Sequence, residues 1–98
     1  MSAPLTAGAL AGLADPQDAL SRLAAMAEGW DLHARPAGDD GLELLGAGWS
    51  VALRPAPGGL SLAAEAGDEA ILRGLKEMAE FMLADLSPEA AERLRWSD

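Results

Sequence analysis

Between positions 15 and 86 the spacing of apolar side chains switches from a helical period to an alternating one and back again. Leu20, Leu23, Ala24 and Ala27 recur on one face, while Asp18, Ser21, Arg22 and Glu28 point elsewhere. Asp15-Pro16 is a start signal for that helix: a carboxylate at the cap, then proline where a missing N–H costs nothing. Gly29 is the expected stop. From there Trp30, Leu32 and Ala34 alternate with Asp31, His33 and Arg35, which predicts a strand with one buried face. Pro36 and Gly38-Asp39-Asp40-Gly41 supply a turn. Leu42 and Leu44 continue on a second strand, ended by Gly46-Ala47-Gly48. Trp49, Val51 and Leu53 alternate on a third, Ala56-Pro57-Gly58-Gly59 suits a type II turn, and Leu60, Leu62 and Ala64 alternate on a fourth.

The helical period then returns. Asp68 is a good N-cap, Glu69 complements the helix dipole, and Ile71, Leu72, Leu75, Met78, Ala79, Met82, Leu83 and Leu86 form one broad stripe. Ser87-Pro88 breaks this helix and is suited to starting another short one. For Leu94-Arg95-Trp96 a brief closing strand and a helical ending both fit. Residues Leu5 to Leu13 are small, apolar and glycine-interrupted, compatible with a weak first strand or an ordered arm. The expected organisation is one α+β domain over residues 1–98, in the order (β)αββββα(β). Two helices should cover one side of a four- to five-stranded antiparallel sheet.

Composition narrows the chemistry more than it names it. There is no cysteine, so disulfides, zinc-thiolate sites, iron–sulfur clusters and cysteine nucleophiles are excluded. Seven basic residues stand against 16 acidic ones, a formal charge of −9, spread along the chain. Nucleic acid and anionic membrane are therefore not expected partners, since both demand clustered Lys and Arg. A basic protein or a cation is compatible with that charge. The first residues lack a basic stretch followed by an apolar run, and no segment reaches the roughly 20 apolar residues that span a bilayer. A cytoplasmic location is the expectation.

No nucleophile elbow, P-loop or dinucleotide glycine motif occurs, and Gly46-x-Gly48 precedes a strand rather than a helix. Asp39-Asp40 reads as turn chemistry. His33, the only histidine, is expected to share a strand face with Asp31 and Arg35; Asp31 and His33 would need a third ligand, such as Glu43, to hold a metal. A solvated strand face of mixed charge is the reading preferred over a metal site. Neither catalytic residues nor a cofactor is expected.

The order of landmarks resembles the bacterial domain-of-unknown-function family 2218. The shared features are an early helix ending just before a tryptophan, a glycine-punctuated meander, Leu60-Ser-Leu-Ala-Ala-Glu-Ala66, a long helix and the near-terminal Trp96. The resemblance covers roughly residues 15 to 96. It implies a small TATA-binding-protein-like α+β fold and a siderophore or iron gene context, with no defined activity. Two family features are missing: Gly29 replaces a histidine before the first tryptophan, and Met82-Leu83-Ala84-Asp85-Leu86 replaces a His-Leu-x-Arg-Phe run.

Two surfaces remain as candidate sites. Phe81 lies outside the apolar stripe of the long helix, with Gly74, Met78 and Asp85 beside it. A mid-helix glycine costs about 1 kcal/mol relative to alanine, so close packing against a second subunit would explain Gly74, as would a wider contact with the sheet. Ser50, Ala52, Ser61 and Ala63 form a flat patch on the outer sheet face, suited to docking a protein or a second copy, or simply wet. The expected function is a non-enzymatic binding or accessory domain, self-associating as a homodimer, with an iron-related context implied by the resemblance. A small acidic chaperone of the secretion type, holding a protein client, is the alternative.

Overall fold

The computed structural model describes residues 4–97. It is an α+β fold: β1 (Leu5–Gly12), α1 (Pro16–Gly29), β2 (His33–Ala37), β3 (Gly41–Gly46), β4 (Trp49–Ala56), β5 (Gly59–Ala66), α2 (Glu69–Leu86) and α3 (Pro88–Arg93). The strands form one antiparallel sheet in the order β1-β5-β4-β3-β2. Four consecutive strands linked by tight turns give the meander that the alternation predicts. The N-terminal segment joins it as an edge strand on β5, and α1 carries the chain over to the opposite edge.

Alternation decides which sheet face is dry. Ala7 and Ala11 of β1, Leu60, Leu62, Ala64 and Ala66 of β5, Val51 and Leu53 of β4, and Leu44 of β3 are all buried. Leu20, Leu23 and Ala27 of α1 and Leu72, Leu75, Ala79, Met82 and Leu83 of α2 close over them. Phe81 is excluded from this core, as the helical spacing predicts. Among the described residues the core is built of small or aliphatic side chains; Trp49 and Trp96 pack partly buried at its margin.

The helix ends follow the cap signals in three places. Asp15 accepts from the Asp18 N–H at 3.1 Å and Asp68 from the Ile71 N–H at 2.9 Å. Ser87 serves two helices, its N–H closing α2 on the Leu83 carbonyl at 2.7 Å and its hydroxyl starting α3 at the Ala90 N–H. The short α3 is the further helix for which Ser87-Pro88 is suited. After it the chain runs without helix to Ser97, whose backbone exchanges two hydrogen bonds with Gly8 on the outer edge of β1, at 2.9 and 2.8 Å. On the way the Trp96 indole N–H donates to Glu80 at 3.0 Å.

The end of α1 departs from expectation. Gly29 does not stop the helix; it is the last residue in it. The Leu32 N–H bonds the Ala27 carbonyl at 2.9 Å and the Asp31 N–H bonds the Glu28 carbonyl at 3.1 Å, the paired bonds of a Schellman motif. That motif demands a left-handed residue, and Asp31 supplies it with φ 60°. Aspartate there costs roughly 1 kcal/mol relative to glycine, and its charge sits unfavourably at the negative end of the helix dipole. The turn consumes positions 30 to 32, so β2 begins at His33 and takes in Pro36 rather than ending before it. Trp30, expected on a buried strand face, is instead thrown outward at the helix end, 40% exposed. Ala34, expected on the same face, is exposed too.

Candidate functional site

The strand alternation that buries one sheet face leaves the other uncovered. Its residues line up across the strands as Gly8–Ala63–Ala52–Glu43–Arg35 and Thr6–Glu65–Ser50–Leu45–His33, with Leu10–Ser61–Arg54 on one flank. Ser50, Ala52, Ser61 and Ala63 therefore do share this face. Thr6, Gly8, Glu43 and Glu65 border a shallow open hollow above Ala52 and Ala63. Arg35 and Glu43, opposite each other on β2 and β3, are joined by bonds of 2.7 and 2.6 Å from the guanidinium to Glu43 Oε1.

That ion pair bears on the metal constellation weighed from the sequence. Glu43 is on the His33 face, but its carboxylate is held by Arg35. Asp31 is not on the strand at all; it lies in the left-handed turn before it, so it does not share a face with His33 and Arg35 as expected. Among the described residues no group of three metal-ligating side chains converges, and no buried polar side chain lacks a hydrogen-bond partner. An apolar void of ≈ 10 Å³ under the helices, lined by Leu23, Leu44, Val51, Leu62, Met82 and other aliphatic groups, is about one water in size and has no polar group to hold a ligand.

The second surface is built on α2. Phe81 is 68% exposed, the most exposed large apolar side chain among the described residues. Gly74 and Asp85 are also exposed, Met78 is half-buried against the core, and a Cβ on Gly74 would meet no atom within 4 Å. Close packing inside the chain is therefore not what Gly74 serves. The residue that sequence reasoning placed elsewhere is Trp30. Its ring lies 5.6 Å from that of Phe81, centroid to centroid, at an interplanar angle of 50°. The Schellman turn that displaces Trp30 from the sheet is what delivers it to Phe81. Paired bonds and a left-handed Asp31 carry no period for a hydropathy pattern to report.

No family model, curated protein or solved structure matches the chain. Function must then be read from the surfaces alone. Two of the chain's four aromatic residues stand outside the core, against each other. Exposed acids lie next to them: Asp31 directly follows Trp30, and Glu77 and Asp85 are one turn before and after Phe81 on α2. No basic residue occupies the last turn of α1. Among the described residues no helix is long and apolar enough to cross a membrane.

Proposed function

We propose that this chain is a non-enzymatic binding module that docks a partner protein through the corner formed by Trp30 and Phe81. The observation that carries this is the exposed aromatic pair. Single apolar residues on a surface need no explanation, but tryptophan and phenylalanine in mutual contact concentrate the large, rigid contact area that anchors interfaces. The setting supports it. Gly74, seven residues before Phe81 on the same helix face, leaves α2 open to close approach, and Met78 offers an adaptable apolar floor beside them. Charged residues rim the apolar pair, as they do around the buried centre of an interface.

The test compares material isolated from its own host, wild type beside Phe81→Glu, by native mass spectrometry. Wild type is expected to retain a second protein that the variant loses by about tenfold or more, as for a central interface residue. At 68% exposure the substitution leaves the core untouched. The loss is confined to the Trp30 ring contact and to repulsion from Glu77 and Asp85, about 1 kcal/mol. The fold should be kept, with a melting temperature lower by only about 4–8 °C. Equal retention of the same partner by both proteins would refute the reading.

A further inference from the structure

We infer that the Trp30–Phe81 corner receives an arginine side chain carried on a basic segment of the partner. This deepens the docking reading above and rests on it. Aromatic faces attract cations through their quadrupole when the charge comes within about 6 Å of the ring centre, and tryptophan is the strongest of them. Here two rings at 5.6 Å and 50° leave much of their area open to solvent. Asp31 directly follows Trp30, Glu77 and Asp85 lie one turn to either side of Phe81, and the end of α1 adds the negative pole of its dipole without a basic side chain to offset it.

Three of the chain's arginines are held in ion pairs elsewhere. Arg22 is paired with Asp18, Arg35 with Glu43 and Arg93 with Glu89. Arg95 donates to the Glu92 and Leu94 carbonyls, and Arg54 lies on the uncovered sheet face. On α2, Arg73 and Lys76 are turned by about 80° and 140° from Phe81 around the helix axis. Asp31 sets its carboxylate at the C-terminal end of α1, directly after Trp30, in a left-handed turn that asparagine or glycine would serve without the charge.

Geometry selects the kind of cation. A planar guanidinium stacks on one ring while its fork of donors reaches carboxylates at the margin. A quaternary ammonium is best held by an aromatic cage, whereas Trp49 packs over Gly46 in the β3–β4 turn and Trp96 is tied to Glu80. A second copy of this chain is the wrong occupant on charge. A two-fold contact centred on this corner would set each acidic rim against its own image, between two molecules of charge −9.

The experiment titrates the full chain with a short Arg-Gly-Ser repeat peptide and follows the Trp30 indole N–H and the Phe81 ring by NMR. Three control peptides replace each arginine with lysine, citrulline or leucine. Saturable shifts of both rings are expected with arginine. Affinity should fall severalfold with lysine and about tenfold with neutral citrulline, a loss of about 1.4 kcal/mol. Phe81→Ala should weaken the arginine peptide comparably. So should Asp31→Asn combined with Asp85→Asn, a pair that keeps the left-handed turn acceptable. Equal binding of arginine and citrulline peptides, or arginine binding indifferent to Phe81→Ala, overturns the inference. A leucine peptide that moves the same rings as tightly as arginine also overturns it, while leaving the docking surface in place. If the host-derived complex also ignores Phe81→Glu, it is the docking reading that has failed. A dimer mass lost in Phe81→Ala, with no peptide response, assigns the corner to a second copy and ends the inference.

Discussion

Gly59→Ala is expected to destabilise the protein by about 3 kcal/mol or more, lowering its melting temperature by roughly 12 °C or beyond for a chain of this size. Gly59 opens β5 and pairs with Gly12 of β1 and Ala56 of β4, so it sits between two strands rather than at a free tip. Its φ is 155°, a conformation that L side chains seldom adopt. A Cβ there would overlap the Ala11 carbonyl oxygen and lie 2.8 Å from the Leu13 backbone nitrogen. Both are backbone atoms, one in β1 and one in the residue that follows it, and cannot rotate aside as a flexible side chain would. Relief requires β1 to lift from β5 at its end, opening ladder bonds where Ala11 is fully buried. Gly58→Ala provides the control. Gly58 also has positive φ, 89°, but a Cβ there meets nothing within 4 Å, so only the conformational cost of about 1 kcal/mol applies. Thermal melts of the two variants should differ plainly; equal losses would mean that strand proximity at Gly59 is misassigned.

Leu62→Ala should cost about 3–4 kcal/mol. Leu62 is 1% exposed, pairs with Ala9 and Leu53 on the covered face, and already borders the small apolar void beneath α1 and α2. Removing its branched end adds to that void. The lining of Leu44, Val51, Leu53 and Leu83 is anchored on strands and helices that hold their positions, so little collapse can recover the lost contacts. The neighbouring position reports the opposite side of the sheet. Ser61→Ala, on the uncovered face, should lie within about 0.5 kcal/mol of wild type. Urea unfolding at unchanged slope would give both values; a Leu62→Ala loss below about 1 kcal/mol would contradict a core sealed by the helices.

Most of the layered architecture was legible because it depends on period. The alternation through Leu42, Leu44, Val51, Leu53, Leu60 and Leu62 fixed both the strands and the face they bury, and the stripe from Ile71 to Leu86 placed Phe81 outside it. Each of these is a local consequence of side-chain direction. The pairing of β1 with β5 was not legible, since Ala7, Gly8 and Ala9 have little strand propensity and are held by partners more than fifty residues away. The end of α1 misled for another reason. Trp30, Leu32 and Ala34 fit an alternating pattern, but two backbone bonds and one left-handed aspartate took the first three residues for a helix cap. That local competition hid half of the candidate site. The helical spacing places Phe81 outside the stripe, whereas the alternating pattern puts its partner ring on a buried strand face.

Docking through this corner requires Trp30 to stand outside the sheet, against Phe81. Aromatic nuclear Overhauser contacts, recorded in the presence and absence of a soluble paramagnetic agent, test this directly. The expected result is cross-peaks between the Trp30 indole and the Phe81 ring, with both broadened by the agent. Cross-peaks from Trp30 to the methyl groups of Leu44 or Val51, protected from the agent, would return the indole to the core and remove the site.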